Sequence, residues 1–146
     1  MAKIFVFDID GTLADPSHRR KFVEKKPKDW NAFDAAIPED KLFEDIAHLL
    51  WTFYDRGDKI ILCSGRSSRT RGVTENWLSK HNICFAALYM RTDNDHRQDS
   101  IVKVELLQKI REEHGEPFIW FDDRQQVVDA IRAQGVRVLQ VAPGDF

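Results

Sequence analysis

Residues 4–12 read IFVFDIDGT, an apolar run that leads directly into two aspartates and a glycine. The first four residues are all apolar, which predicts a strand buried on both faces of a sheet. Asp8 and Asp10 lie two positions apart where the chain leaves this strand, and Gly11 permits a sharp turn. This stretch therefore predicts a pair of carboxylates at the end of a central strand.

The rest of the chain repeats the alternation of short apolar strands and amphipathic helices. Further strands are predicted at residues 59–63, 85–90, 118–121 and 136–141. One helix is predicted to begin at Pro38, with an inward face formed by Leu42, Ile46, Leu49, Leu50 and Phe53. Another is predicted over 99–114, with an inward face formed by Ile101, Val104, Leu107 and Ile110. Strands that alternate with helices predict a parallel sheet covered on both faces, which is a three-layer α/β fold.

The composition indicates one domain over residues 1–146. The chain is 42% hydrophobic and 32% charged, so it has enough apolar residues for a core and a well-solvated surface. No apolar run approaches the roughly 20 residues needed to cross a bilayer, so we expect no membrane segment. Two cysteines in apolar segments favour free thiols and a cytoplasmic location. The net charge of −2 is not that of a strongly basic nucleic-acid-binding protein.

Polar residues follow several of the predicted strands. Ser64, Arg91 and Asp122 each come directly after a strand, as Asp8 does, and such positions meet at the carboxyl edge of a parallel sheet. Close carboxylates repel unless a cation lies between them, and an oxygen-only ligand set suits Mg²⁺. A carboxylate can also attack phosphorus, with a second one as general acid and base. We therefore expect Asp8 as nucleophile and Asp10 as acid/base, with Ser64 and Lys103 stabilising phosphoryl charge.

These segments carry a family resemblance over essentially the whole chain. DIDGT, CSGR, the lysine at position 103 and FDDR resemble, in order and context, the four motifs of the haloacid dehalogenase superfamily of phosphohydrolases. The resemblance implies a Rossmann-like sheet in the order 5-4-1-2-3 and an aspartyl-phosphate intermediate on Asp8. It implies a magnesium site formed by Asp8, the backbone carbonyl of Asp10, and Asp122 with Asp123 in support. It also implies that Ser64 and Lys103 bind phosphate.

A closer similarity is to the phosphatase domain of phage polynucleotide kinase/phosphatases. It rests on SGR, MR, VK, DDRQQVV and the final VAPGDF. This similarity implies that Arg66 and Arg91 hold the substrate phosphate, and that the substrate is a 3′-phosphorylated DNA or RNA end. The chain has no G-x-x-x-x-G-K-[ST] phosphate loop, so kinase or ligase activity would come from a separate partner.

The segment from His18 to Asp34 leaves the substrate open. It is short, which predicts a minimal cap and an open cleft, and its basic residues would grip backbone phosphates or form a solvated face. Trp30 or Phe33 would stack on a terminal base or pack the insert. A 5′-nucleotidase or another small-nucleotide phosphatase is the alternative that the negative net charge favours. A phospho-accepting signalling domain is a remote alternative, because its motifs follow a different order.

Overall fold

Seven strands occur along residues 1–146 of the computed structural model, and five of them form one parallel sheet. The strands are β1 (Ile4–Phe7), β2 (Ala14–Asp15), β3 (Lys41–Leu42), β4 (Lys59–Ser67), β5 (Ala87–Arg91), β6 (Ile119–Asp122) and β7 (Val138–Gln140). The order across the large sheet is β5-β4-β1-β6-β7, with every neighbouring pair parallel. Counted alone, these five strands have the predicted order 5-4-1-2-3, read from the other edge. A second, two-stranded sheet of β2 and β3 was not predicted.

Six α-helices accompany the strands: α1 (Lys21–Glu24), α2 (Trp30–Ala35), α3 (Glu44–Asp55), α4 (Arg71–Lys80), α5 (Asp99–Glu113) and α6 (Gln125–Ala133). One buried cluster contains residues of α3 and α4, and the other contains residues of α5 and α6. The helices therefore cover both faces of the large sheet, which confirms the three-layer α/β prediction. None of the helices combines the length and the apolar character that crossing a bilayer requires.

The central strand β1 shows why both faces are buried. Phe5 and Phe7 point into the cluster with α3 and α4, while Val6 between them points into the cluster with α5 and α6. This is the two-residue period of a strand, in which successive side chains leave opposite faces. The Phe5 ring stacks on Phe53 of α3 with centroids 3.9 Å apart, and the Phe7 ring stacks on Phe121 at 4.4 Å. The first strand is thus fixed from both sides, and its carboxyl end is held in place.

Three local predictions are wrong. The helix does not open at Pro38: residues 37–39 form a short 3₁₀ turn, and Leu42 lies in β3, because this segment pairs with β2. Leu49 is exposed rather than inward. In α5 Leu107 and Ile110 are buried as predicted, but at the start of the helix the inward face is shifted by one residue, so Ile101 is exposed while Val102 is buried. The shift has a physical cause, since this face also brings Lys103 inward, where its ammonium pairs with buried carboxylates.

Candidate active site

The turn after β1 holds Asp8 in one orientation. The backbone N–H of Asp8 donates to the Phe121 carbonyl of β6 at 2.9 Å, and its carboxylate accepts from the Thr12 hydroxyl at 3.1 Å. Gly11 has a φ of +84°, and a Cβ at this position would lie 2.0 Å from Oδ2 of Asp123. The glycine of the motif is therefore required twice, once by the turn and once by the acidic group that packs on it.

Lys103 connects the two strand ends. Its buried Nζ donates to Oδ1 of Asp8 at 2.8 Å and to Oδ2 of Asp122 at 2.9 Å, and it lies 3.8 Å from Oδ2 of Asp99. Burial lowers the pKa of Lys103, but the carboxylates outweigh burial and hold that pKa well above its usual range. A fixed positive charge therefore lies beside Asp8.

Three carboxylates form the only potential metal-binding group of His, Cys, Asp and Glu side chains. Oxygens of Asp8, Asp122 and Asp123 lie within 4.8 Å of one another, and all three residues are buried. Burial and the charge of Asp122 raise the pKa of Asp8 well above its usual value, and the same two causes raise that of Asp123. A divalent cation would relieve this repulsion, and the oxygen donors fit Mg²⁺.

The acceptor sites of these carboxylates are not equally free. Oδ2 of Asp122 accepts from Lys103 and from the Trp120 indole, and its Oδ1 accepts from the backbone N–H groups of Asp123 and Arg124. These four bonds fill the roughly four acceptor positions of a carboxylate. Asp8 has acceptor positions left, since only Thr12 and Lys103 donate to it. By this count Asp8 and Asp123 are better placed to hold a cation, and Asp122 as a ligand stays a prediction.

Asp10 lies in a different electrostatic environment from Asp8. Arg66 donates to it from Nη2 to Oδ1 at 2.6 Å and from Nε to Oδ2 at 3.0 Å, and Arg19 donates from Nη2 to Oδ1 at 3.2 Å. Burial would raise the pKa of Asp10, but the two arginines, Arg66 first, bring it below its usual value. Its side chain is still 35% exposed and faces the cavity. Two carboxylates two residues apart thus have opposite pKa shifts, and Asp8 would need the charge of a bound cation beside it to be ionised as a nucleophile.

A buried aspartate outside the recognised motifs holds both arginines. Oδ1 of Asp40 accepts from Arg19 Nε at 2.8 Å and lies 2.6 Å from Nε2 of His18, while Oδ2 accepts from Arg66 Nη2 at 3.1 Å. The prediction that Arg19 belongs to a basic surface is wrong, because it is only 1% exposed. No local pattern indicated Asp40, which lay in a segment predicted to be helical.

Arg91 and Ser64 are more enclosed than the sequence suggested. Arg91 donates to the carbonyl oxygens of Gly65, Asp95 and Arg97 and to Oδ1 of Asp99, so it fastens the loop after β5 to β4. Ser64 is buried, and its hydroxyl accepts from the backbone N–H of Arg66 at 3.1 Å. Ser64 and Arg66 lie within β4, which extends to Ser67, and not after a strand end.

A cavity of about 800 Å³ collects most of these side chains. Among its lining residues are Asp8, Asp10, Arg66, Arg91, Lys103 and Asp122, whereas Ser64 does not line it. Its rim includes α2 and the loop 93–97. Of the insert predicted to form a minimal cap, α2 lines the cavity, but the lysines at positions 21, 25, 26 and 28 are exposed and do not line it.

Comparison with known proteins identifies the family. The family model of the polynucleotide kinase PNKP phosphatase domain, of the haloacid dehalogenase class, matches residues 2–146. The chain belongs to this family. As a PNKP-type phosphatase domain it is a phosphoric monoester hydrolase, which confirms the resemblance of the motifs and argues against a signalling domain.

Two of the proteins similar to this PNKP-type phosphatase domain are much longer than it, and a third has nearly its length. A “Putative bifunctional polynucleotide kinase/RNA ligase” of the Autographa californica nuclear polyhedrosis virus is 29% identical over 123 residues, which are 83% of this chain and 16% of that protein. A chain in the structure of the Pnkp1/Rnl/Hen1 RNA repair complex is 33% identical with a TM-score of 0.81, and the match covers 100% of this chain and 44% of that one. A hydrolase from Streptococcus pneumoniae TIGR4 shares the fold, with 16% identity, a TM-score of 0.68, and coverage of 97% and 94%. The chain thus spans less than half the length of the first two relatives.

Proposed function

We propose that this phosphatase domain is magnesium-dependent and removes 3′-phosphates from polynucleotide ends through an aspartyl-phosphate on Asp8. The observation that carries the proposal is the pairing of opposite environments in one cavity. Asp8 lies beside the fixed charge of Lys103 and the carboxylate of Asp123, while Asp10 faces the cavity between two arginines. Such a pair can divide the nucleophilic and the acid/base roles of a phosphoryl transfer.

The first chemical step forms a bond between the Asp8 carboxylate and phosphorus, while the bond from phosphorus to the leaving oxygen breaks. The Lys103 ammonium stabilises the charge that develops on the phosphoryl oxygens. Asp10 gives its proton to the leaving oxygen; the dianionic phosphate beside it raises its pKa and so opposes the effect of the arginines. Ionised Asp10 then takes a proton from the water that cleaves the acyl phosphate. Mg²⁺ held by Asp8 and Asp123 would neutralise phosphate charge during both steps.

Two observations support a nucleotide substrate, and the second of them favours a polynucleotide. The cavity of about 800 Å³ is in the range that takes a drug-sized ligand, so it admits a nucleotide and not only a phosphate. Two of the relatives are named for polynucleotide kinase, RNA ligase and RNA repair. By this likeness we propose DNA or RNA ends as substrates and a kinase or ligase as partner. The cytoplasmic location stays a prediction that rests on the two free cysteines.

A small-nucleotide phosphatase is the second candidate, and the distribution of charge favours it. The exposed lysines of the insert do not line the cavity, and the arginines at its rim, Arg69 and Arg97, are paired with the rim aspartates Asp34, Asp93 and Asp95. Contacts with flanking phosphates supply much of the affinity of a protein for a long polyanion. A rim with few free positive charges therefore gives a polynucleotide little advantage in binding over a mononucleotide.

The test compares phosphate release, with and without Mg²⁺, from a 3′-phosphorylated oligonucleotide, the same oligonucleotide phosphorylated at its 5′ end, and the corresponding mononucleotides. We expect magnesium-dependent release that is fastest from the 3′-phosphorylated oligonucleotide. Markedly faster release from mononucleotides would refute the polymer substrate. Asp8→Asn should abolish turnover with no loss of fold, while the exposed Asp55→Asn should match the wild type; turnover by Asp8→Asn would refute the nucleophile.

A further inference from the structure

The four tryptophans have different environments, and one of them lies at the cavity. Trp77 and Trp120 are buried in the core, and the indole N–H of Trp51 donates to the Asn82 carbonyl. Trp30 is 49% exposed and lines the same cavity as Asp8 and Asp10. An exposed indole at a catalytic cavity keeps a large apolar face for a ligand.

The support behind Trp30 is rigid. Phe33 meets Trp30 in a T-shaped arrangement with ring centroids 5.6 Å apart, and the guanidinium of Arg19 lies 4.3 Å from the Phe33 centroid. Arg19 is in turn bonded to Asp10 and Asp40. Arg19 therefore connects the aromatic pair of Trp30 and Phe33 to Asp10, the proposed acid/base group.

The helix that carries Trp30 is capped at its start and is held to a neighbouring segment at one point. The side chain of Asp29 caps α2 by accepting from the backbone N–H of Ala32 at 3.0 Å. Asp34 accepts from Nε of Arg69 at 3.0 Å and from its Nη2 at 2.8 Å, which connects α2 to the segment after β4. A ring held in this way loses little conformational entropy when a ligand stacks on it.

The charge beside Trp30 matches a nucleotide. The Lys28 ammonium lies over a Trp30 ring, 5.7 Å from its centroid and outside the cavity lining, so its positive charge would attract the phosphate of a nucleotide bound at that ring. A base, a sugar and the phosphate to be removed would extend from Trp30 to Asp8 within the one cavity.

We propose that Trp30 is a stacking platform for the nucleobase of the nucleotide that carries the scissile phosphate, with Phe33 as its support. This inference rests on the proposed function and specifies how the cavity recognises its substrate. Stacking is tolerant of sequence, because every base has an aromatic face. The platform therefore selects nucleotides over base-free phosphate esters and does not read which base is present.

The test pairs a protein change with a substrate change. Phosphate release is measured from a 3′-phosphorylated oligonucleotide and from the same oligonucleotide with an abasic 3′-terminal nucleotide, using the wild type, Trp30→Ala and Trp30→Phe. We expect Trp30→Ala to lower kcat/KM for the base-bearing substrate by a factor of about 5 to 150, the usual range for base–aromatic stacking, and to leave the abasic substrate unchanged. Trp30→Phe should retain most of the preference. Tyr54→Ala is the matched control, because Tyr54 is 47% exposed in α3 and does not line the cavity.

Two results would overturn the platform: an equal loss on both substrates in Trp30→Ala, which indicates a structural role, or a wild type with no preference for the base. Failure of the proposed function is a separate result, because the wild type would then release no 3′-phosphate from either oligonucleotide. In that case phosphate release is compared between a nucleoside 5′-monophosphate, which carries a base, and ribose 5-phosphate, which does not. A loss in Trp30→Ala that is confined to the nucleotide would support the platform, and an equal loss on both substrates would refute it.

Discussion

Replacing Asp40 by Asn should damage both stability and catalysis. The buried cluster contains two guanidinium groups, Arg19 and Arg66, and two carboxylates, Asp10 and Asp40. Asp40→Asn leaves two positive charges against one negative charge, and it turns an amide donor toward groups that themselves donate. Breaking a buried ion pair in this way costs about 3–5 kcal/mol in the free energy of unfolding.

The same substitution should lower kcat more than it raises KM. Asp40 touches no substrate, but it holds the two arginines that orient Asp10. A misplacement of about 1 Å costs up to about 100-fold in rate, so we expect kcat/KM to fall by about 10- to 100-fold. Unfolding in urea gives the stability, and steady-state phosphate release well below the unfolding transition gives kcat and KM.

An exposed ion pair supplies the control for Asp40→Asn. Asp34→Asn removes the partner of Arg69, whose side chain is 47% exposed, and should cost less than about 1 kcal/mol. If Asp40→Asn also costs less than about 1 kcal/mol and keeps the wild-type kcat, the view of Asp40 as the anchor of both arginines is refuted.

Two further substitutions test other features. Gly11→Ala would set a Cβ against Asp123 at a φ of +84°, so we expect this variant to need a higher Mg²⁺ concentration for activity. The control is Gly72→Ala in α4, where the added Cβ meets open space and should stabilise the protein by about 0.5–1 kcal/mol. An Mg²⁺ titration of Gly11→Ala identical to that of the wild type would contradict this expectation. Burial lowers the pKa of His81, so the stability gained from its neutral form is present above its unfolded pKa of about 6.5 and is lost as the pH falls below it. His81→Gln should therefore lose less stability than the wild type between about pH 7.5 and about pH 5 in urea unfolding, and equal losses would contradict the reasoning.

The sheet was predictable because its signals are local. Each strand of the large sheet is a short apolar run, and parallel strands joined by helices assemble with a fixed handedness. The predictions failed where a polar contact overrode the apolar pattern. Residues 41–42 pair with β2 instead of lying in a helix, and the first turn of α5 buries Val102 and Lys103 in place of Ile101.

The parts of the site that depend on distant contacts were not predictable from the sequence. Arg19 resembled its basic neighbours, yet it is bonded to Asp40, which is 21 positions away, and Arg66 meets Asp10 across 56 positions. Asp99 was also missed, although its carboxylate contacts Arg91 and Lys103 and would collide with a Cβ at Gly65. No spacing rule connects such residues, because the connecting chain has no fixed length or direction until the sheet forms.

The sequence by itself determined the class of chemistry, because Asp8, Asp10 and Asp122 follow apolar runs that can only be buried strands, and such strand ends meet at one edge. Only the tertiary structure decided which side chains remain available there. It fills the acceptor positions of Asp122, pairs Arg66 with Asp10 and Arg91 with backbone carbonyls, and leaves Trp30 half exposed at the cavity. The physical reason is that a residue's type sets what it can donate or accept, whereas its availability depends on the neighbours that folding brings from elsewhere in the chain.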